Sequence, residues 1–336
     1  MPFINDILKY KSISFVGTEK NTGKTETLNY VLSRLCSFSN TIVGITSIGI
    51  DGEKTDQVTK TSKPEIIISP NTIFATSEFL YSQKQIISNI LSLSKRSTVL
   101  GKLVYAQAIS SGKIILGGAS STLWLKEVIE DITDLGANIV LVDGALSRMS
   151  FGSPSITEAM ILSTGAALSI NLKTLVRETS FIYRMTQLES IESKLAEKLL
   201  EIENGIYSID TEGNIIDLEI PSILMIDKYK EKLSSKISKI FISGIITDKL
   251  INFLKVQKNI QDIEIIIRDF TRIFCSIENI DSYLAKGGKL SVVQKTNLIA
   301  ITVNPTSPTG YNLNSDKLIE ELRKEIPIPI YNIKEI

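Results

Sequence analysis

The sequence predicts an α/β protein with a mainly parallel sheet, and three observations lead to that class. Short β-branched runs alternate with amphipathic stretches, as in βαβ units. The 336 residues, 43% of them hydrophobic, are enough for one large domain or two smaller ones. The first hydrophobic run also meets the first amphipathic stretch at a short turn of small and polar residues, Gly23-Lys24-Thr25.

The first region, residues 1–195, accounts for most of this alternation. A strand is expected at 13–16, and the helix after it begins near Lys24, with Leu28, Leu32 and Leu35 on one face. Further strands are expected at 41–50, 65–69, 113–118, 138–144 and 166–171, and further helices at 121–136 and 175–202. The helix expected at 121–136 places Trp124 on its buried face and ends at Gly136.

The alternation is interrupted at residues 205–220. Two alternating runs surround Glu212-Gly213-Asn214, which predicts a β-hairpin. We expect a hairpin or linker insertion over 196–235 and a C-terminal α/β region over 236–336, where strands and helices alternate again. This last region either continues the first sheet or forms its own.

Composition excludes several kinds of function. Lys and Arg balance Asp and Glu at 37 each, so no overall field attracts nucleic acid or a membrane. The absence of histidine excludes a Ser-His-Asp triad, a His-ligated zinc ion and an imidazole base. Phosphoryl transfer is compatible with the groups that remain, because positioning and electrostatics supply most of its catalysis.

Location is also constrained by composition. Cys36 and Cys275 lie far apart without metal-ligand spacing, as expected of buried thiols in a reducing compartment. The N-terminal residues lack the features of a secretory signal, and no apolar run approaches the roughly 20 residues that span a bilayer. A cytoplasmic protein without nucleic-acid or membrane partners is expected.

The stretch "ISFVGTEKNTGKTETLNYVL", residues 13–32, resembles a phosphate-binding loop between a strand and a helix. Gly23-Lys24-Thr25 matches the end of the pattern G-x-x-x-x-G-K-[ST]. The first position of that pattern holds Thr18, and the glycine stands one place earlier, at Gly17. The alternative is a lysine and a threonine at the start of an ordinary helix.

Such a loop would bind the phosphates of ATP or GTP. Main-chain N–H groups would surround the triphosphate at the positive end of the helix. Lys24 would reach the β- and γ-phosphates, and the Thr25 hydroxyl would ligate Mg²⁺. The residues expected to contact nucleotide in the loop are Gly17, Thr18, Lys20, Asn21, Thr22, Gly23, Lys24, Thr25 and Glu26.

Two acidic positions are candidates for the metal and for catalysis together with Lys24. Asp143 ends the buried run "NIVLVDG" and can orient the Mg²⁺ shell, or it can cap the next turn. Asp51, in "SIGIDGEKTD", can hold metal or water, as can Glu53, but an Asp-Gly turn is an equally good account. Arg148 is a further candidate that would contact phosphate or a partner. The alternative is an ordinary surface arginine.

The loop "GTEKNTGKT" resembles the G-T-D-T-x-x-G-K-T loop of dethiobiotin synthetase and its relatives, which also have threonine at the first position. This resemblance implies the three-layer P-loop NTPase fold of the branch that includes the nitrogenase iron protein and the MinD-type ATPases. Many members have a second lysine that reaches across a dimer interface. Here Glu19 occupies that position and Lys20 follows it. We therefore do not assume that Lys20 bridges a dimer, and a homodimer is only one alternative.

The same resemblance suggests a further contact. "NPTSPTGY", residues 304–311, leaves a strand where the synthetase-like proteins contact the nucleotide base. Asn304 would read a base edge, or Asn-Pro is simply a turn. The glycine-rich junction 116–122 would approach a ligand closely, or Ser120 or Ser121 caps the following helix.

Several stretches of the sequence together resemble a narrower family: "VGTEKNTGKTETLNY", "GITSIGIDGE", "LVDGALSRMS", "ILSTGAALS" and "TVNPTSPTGY". These look like the smaller subunit of the reactivase for lysine 5,6-aminomutase. The resemblance implies a partner ATPase similar to MutS and the adenosylcobalamin-dependent aminomutase itself. With ATP, the pair would expel damaged cobalamin and readmit intact cofactor.

Two other classes stay open. One is an ATP-dependent, carboxylate-activating ligase of the dethiobiotin or cobyrinic-acid type, with Arg148 and Lys173 beside the γ-phosphate. The segments that bind the diamine in dethiobiotin synthetase are replaced here by "GITSIGIDGE" and "DGALSR", so dethiobiotin synthesis itself is not expected. The other class is a nucleotide-binding module without catalysis.

Overall fold

The computed structural model describes residues 3–38, 40–49, 65–144, 153–234 and 238–336. The chain divides into two compact units. The first unit combines Met1–Ser180 with Asn297–Ile336, and the second is Phe181–Thr296.

The strands, in chain order, are β1 (Ser12–Gly17), β2 (Val43–Ser47), β3 (Ile66–Ile68), β4 (Ile73–Ser77), β5 (Ser88–Thr98), β6 (Gly101–Ala108), β7 (Gly112–Ile114), β8 (Ile139–Asp143), β9 (Ala159–Gly165), β10 (Ile206–Ile209), β11 (Ile215–Asp217), β12 (Lys239–Ile242), β13 (Ile246–Thr247), β14 (Glu264–Ile267), β15 (Ile273–Phe274), β16 (Lys289–Val292), β17 (Leu298–Asn304) and β18 (Ile330–Asn332). The α-helices are α1 (Ile4–Ile7), α2 (Lys24–Leu35), α3 (Glu78–Ser82), α4 (Thr122–Asp134), α5 (Leu172–Thr186), α6 (Ser193–Leu200), α7 (Lys230–Ser234), α8 (Asp248–Leu254), α9 (Ile277–Ala285) and α10 (Ser315–Arg323). Short 3-10 helices cover Ile223–Lys228, Ile260–Asp262, Phe270–Arg272 and Ile333–Glu335.

The first unit is built on a nine-stranded mixed sheet with the order β18-β17-β9-β1-β8-β2-β4-β6-β5. Neighbouring strands are parallel from β18 to β4, and β6 is antiparallel to both β4 and β5. β3 and β7 form a separate antiparallel pair. The α/β class expected from the sequence is therefore confirmed.

Helices cover both faces of this sheet, and the alternation of side chains along β8 shows how. Ile139 and Leu141 belong to the core beneath α2, whereas Val140 and Val142 belong to the core beneath α4. Successive residues of a strand point to opposite faces, so an apolar run such as this one must be buried on both sides.

The helix periods predicted from the sequence are confirmed in α2 and α4. Leu28 and Leu32 of α2 are fully buried, as are Val128 and Ile132 of α4. The start of α4 is capped by the Ser121 side chain, which accepts a hydrogen bond from a main-chain N–H in the first turn.

Other expectations for the first unit were wrong. The strand expected at 166–171 is β9, several residues earlier, because Gly165 and Ala166 already turn against the main chain of Asn304. The long helix expected at 175–202 is interrupted between α5 and α6. The hairpin of β5 and β6 was not anticipated.

The second unit has its own five-stranded sheet with the order β11-β10-β12-β14-β16. Strands β12, β14 and β16 are parallel, while β10 pairs antiparallel with both β11 and β12. Its core combines Leu199, Ile209, Phe241, Ile266 and Val293. The hairpin predicted at 205–220 is present as β10 and β11, but it forms the edge of this sheet.

The division into units differs from the linear one expected, in which 196–235 was an insertion and 236–336 a C-terminal region. The second unit begins earlier and includes the hairpin. Residues from Asn297 onward return to the first unit, because β17 inserts between β9 and β18. Within the described part of the chain, no helix combines the length and apolar character needed to cross a membrane.

Candidate functional site

The loop between β1 and α2 has two residues in left-handed backbone conformations. Asn21 has φ 62° and Gly23, immediately before α2, has φ 91°. Glycine adopts this region freely and asparagine more readily than most residues. A Cβ on Gly23 would also lie 3.2 Å from Cβ of Asn304. The left-handed conformation therefore favours glycine in the Gly-Lys-Thr motif, and the close approach of Asn304 is a second constraint.

Gly17, the displaced glycine, is explained by the path of the loop. A Cβ on Gly17 would lie only 2.7 Å from Oγ1 of Thr22. That hydroxyl donates a hydrogen bond to the carbonyl of Glu19 at 2.9 Å, and Thr22 is almost fully buried. The loop folds back over the end of β1 and leaves no room for a side chain at this position.

Thr18 anchors the start of the loop to the neighbouring strand β9. Its main-chain N–H donates to the carbonyl of Ser163 at 2.9 Å. Its hydroxyl donates to Oγ1 of Thr164 at 3.3 Å. A threonine at the first position of the motif thus has a structural use that glycine would not supply.

Asn304, at the end of β17, holds the middle of the loop. Its Nδ2 donates to the carbonyl of Asn21 at 2.8 Å, and its Oδ1 accepts from the N–H of Thr306 at 3.2 Å. The side chain therefore contacts the loop itself and fixes the peptide that precedes Thr22. The contact with a nucleotide base expected from the sequence stays a prediction.

Lys24 and Asp143 form a buried ion pair at the base of the loop. β8 lies beside β1, with Asp143 opposite Phe15, so the strand ends at the site. The lysine Nζ lies 2.6 Å from Oδ1 of Asp143, and the two side chains are 9% and 6% exposed. Lys24 also donates to the carbonyl of Gly144. Buried charges are stable only when they are paired and hydrogen-bonded.

A set of buried hydroxyl groups supports the first turn of α2. Oγ1 of Thr27 donates to the carbonyl of Gly23 at 3.0 Å and lies 2.8 Å from Oγ1 of Thr302 on β17. The Thr302 hydroxyl lies 2.8 Å from Oγ of Ser163 on β9. These residues were not predicted from the sequence. Hydroxyl residues inside otherwise apolar strands could have indicated them.

The remaining candidates are divided between the site and other places. Thr25 and Glu26 are half-buried in the first turn of α2, and the N–H of Lys20 bonds to the Glu19 side chain at 2.9 Å. Lys173 is exposed in the first turn of α5. Three candidates lie outside the described residues: Asp51, Glu53 and Arg148.

The donor groups present suit a hard cation. The Thr25 hydroxyl follows the loop lysine, and the Asp143 carboxylate ends the adjacent strand. Mg²⁺ prefers oxygen donors and usually keeps several waters beside one or two carboxylates. Among the described residues, no cluster of three or more His, Cys, Asp or Glu side chains is arranged to hold a metal by itself. A site that shares its metal with a phosphate fits this donor set.

Comparison with known proteins adds no assignment: no protein-family model matches the chain, and no curated protein matches it as a relative.

Proposed function

We propose that the chain is a P-loop NTPase of three-layer fold, which binds a purine nucleoside triphosphate with Mg²⁺ at residues 17–25. The observation that carries this proposal is the buried pair of Lys24 and Asp143. A lysine that begins a helix after a left-handed glycine, and that meets the aspartate ending the adjacent parallel strand, is the arrangement that binds and positions phosphates.

Each group has a distinct part in the proposed reaction. The N–H groups from Asn21 to Thr25 and the helix dipole would favour the negative charge of the phosphates. Lys24 would transfer its hydrogen bonding from Asp143 to the β- and γ-phosphates. Thr25 and Asp143 would then hold Mg²⁺, which neutralises phosphate charge when it is bound. We propose hydrolysis of the terminal phosphoanhydride, with Asp51 as the further catalytic candidate.

The biological role that we propose is a reactivating factor for an adenosylcobalamin-dependent lysine aminomutase. Support comes from the resemblance of five sequence stretches, which include the loop and the segment that contains Asp143. In this role the protein works in the cytoplasm with a MutS-like ATPase subunit. ATP-bound and hydrolysed states would differ in their affinity for the partners, and this difference would drive cofactor exchange.

The binding step is tested by titration calorimetry with Mg-ATP and Mg-GTP. We expect saturable heat for at least one nucleotide and its loss in Lys24→Ala. Lys194→Ala is the matched control, because Lys194 is an exposed lysine on α6 of the other unit. If neither nucleotide binds, or if Lys24→Ala binds like the wild type, the proposal fails.

Hydrolysis is tested separately with Asp143→Asn. This variant keeps a side chain of the same size but removes the charge that would orient the metal. We expect it to lose most Mg²⁺-dependent phosphate release while it still binds nucleotide. Equal turnover in the variant and the wild type would exclude the role assigned to Asp143.

The partner step is tested by measuring phosphate release alone, with the aminomutase, and with the MutS-like subunit. Stimulation by either protein supports a reactivating factor. Turnover that depends instead on a small carboxylic acid or amine would identify a carboxylate-activating ligase. Nucleotide binding without any turnover would identify a binding module.

A further inference from the structure

β5 forms one edge of the nine-stranded sheet and pairs only with β6 among the strands described. The main-chain groups on its outer side are therefore available to another strand. Proteins usually shorten, cover or charge such edges, because an open edge recruits other chains. β5 is instead long, from Ser88 to Thr98, and most of its residues are exposed.

Apolar side chains are concentrated along this edge. Ile87 and Ile90 are 65% and 58% exposed, and Leu91 and Leu93 are also exposed. Val99 is 90% exposed at the turn into β6. We call residues 87–99 the β5 edge surface. Several exposed apolar side chains along one open edge strand are typical of an interaction site.

The sequence around the β5 edge surface has an excess of basic residues, although the whole chain is neutral. No acidic residue occurs between Glu78 and Glu127, whereas the basic residues in that interval are Lys84, Lys95, Arg96, Lys102, Lys113 and Lys126. Arg96 contacts Glu127 at 2.9 Å, but no described acid contacts the exposed Lys95. A second copy of this surface would bring like charges together, so the charge favours an acidic partner.

The geometry of β5 limits where a partner strand would pair. The register shifts between Ile90 and Ser92 and again between Leu93 and Ser97. The second irregularity is fixed by Ser94, whose hydroxyl donates to the carbonyl of Arg96 at 2.6 Å and accepts from the N–H of Leu103 at 2.8 Å. The edge before it, residues 88–93, is about 20 Å long, which is the length of an ordinary strand.

We infer that the β5 edge surface binds an extended segment of a partner protein in which apolar residues alternate with Asp or Glu. Main-chain hydrogen bonds to residues 88–93 supply the pairing, Ile90 and Leu93 contact the apolar residues, and Lys95 meets an acidic side chain. An edge strand presents alternating N–H and C=O groups, which another strand matches in register and a lipid surface does not, so a strand is favoured over a membrane.

This surface is separate from the proposed nucleotide site. Four strands, β8, β2, β4 and β6, lie between β1 and β5 in the sheet. At a strand spacing of about 4.8 Å, the two elements are about 24 Å apart. The inference therefore stands or fails without regard to nucleotide binding.

Fluorescence anisotropy tests the inference with a labelled peptide in which Glu alternates with Val or Ile. The comparison peptide has Lys in place of every Glu. We expect saturable binding of the Glu peptide only, with affinity at least tenfold weaker in Leu93→Ser and in Lys95→Glu. Leu224→Ser and Lys194→Glu are the matched controls, since they make the same changes at exposed positions of the other unit.

Hydrogen exchange separates strand pairing from other modes of docking. Addition of the Glu peptide should protect amides within residues 88–93, because a new ladder covers them. No binding of the Glu peptide, equal binding of both peptides, or no effect of Leu93→Ser and Lys95→Glu would overturn the inference. A dimer that is seen in sedimentation velocity and that Leu93→Ser dissociates would also overturn it. The same holds if the protein does not bind the peptide but binds phosphatidylserine vesicles, and Lys95→Glu abolishes that binding.

Discussion

Replacement of Lys24 by methionine removes one charge from the buried ion pair and keeps most of the side-chain volume. The Asp143 carboxylate then stays in the interior without the ammonium that lay 2.6 Å away. Because both side chains are less than one-tenth exposed, solvent cannot compensate for the lost partner. The same reasoning applies to Asp143→Asn, which leaves the ammonium of Lys24 without its carboxylate.

The magnitude of the effect follows from this burial. Loss of one member of a buried pair costs about 3–5 kcal/mol of the free energy of unfolding. The double variant Lys24→Met/Asp143→Asn carries neither charge, so we expect it to be more stable than either single variant. The coupling free energy of the cycle should be at least about 2 kcal/mol. For a domain of this size, each single variant should melt about 6–20 °C lower than the wild type.

The assay uses the only tryptophan of the chain. Trp124 is 4% exposed in the core beneath α4, within the unit that contains the ion pair. Its fluorescence during urea unfolding reports the stability of that unit. Lys194→Met is the control for removal of an exposed lysine and should change stability by less than about 0.5 kcal/mol. Additive single-variant effects in the double variant would refute the reasoning.

Three further predictions follow from the geometry. Asn304→Ala loses a hydrogen bond worth about 0.5–1.5 kcal/mol, so calorimetry should show nucleotide affinity about 2–10-fold weaker, and unchanged affinity would contradict the anchoring role. Gly165→Ala should destabilise by more than about 3 kcal/mol in urea unfolding, because its Cβ would lie 2.0 Å from the Asn304 carbonyl oxygen, whereas Gly244→Ala has open space and should be nearly neutral. Burial raises the pKa of Cys275 to about 12, which lowers its reactive thiolate fraction. In a Cys36→Ser background, alkylation at pH 8 should be about a thousandfold slower in folded than in urea-unfolded protein, with the folded rate rising as pH rises; similar rates would contradict this.

Local periodicity made part of the fold predictable. Leu28 and Leu32 recur at helical spacing because α2 buries one face against the sheet. The run from Ile139 to Val142 is apolar throughout because β8 has helices on both faces. In α2 and β8 the environment is uniform along the whole length of the element, so the pattern of apolar residues predicts it.

Elements in mixed environments were not predictable in the same way. β9 contains Ser163 and Thr164, which are buried but hydrogen-bonded to hydroxyl groups of other segments. These polar residues interrupt the apolar run, and the strand was expected later, at 166–171. β5 has apolar residues on an open edge, where no alternation is imposed by a core. The return of β17 to the first sheet depends on pairing with β9, a contact that local patterns do not contain.

In the candidate site, too, some features follow from local sequence patterns and others from contacts between distant segments. The parallel arrangement of β1 and β8 places Lys24 near Asp143, so the motif and the strand end were enough to predict that these two residues lie together. The contact of Asn304 with Asn21 joins residues 283 positions apart. The resemblance predicted a contact of Asn304 with the nucleotide base. The partner that its amide has in the structure depends on the close approach of β17 to Gly23, which local patterns do not contain.

The contacts of Thr18, Asn21 and Lys24 would hold the loop in one conformation before the proposed nucleotide binds. Thr18 is held by β9, Asn21 by Asn304 on β17, and Lys24 by Asp143 on β8. Three strands on the two sides of β1 therefore fix three points of one short segment. A segment fixed in this way loses little conformational freedom when it binds a ligand. Substitution of an anchor should therefore weaken binding of the proposed nucleotide even where the altered side chain never contacts phosphate. This separates the role of Thr18 and Asn304 from that of Lys24, whose charge would act on the phosphate of the proposed nucleotide itself.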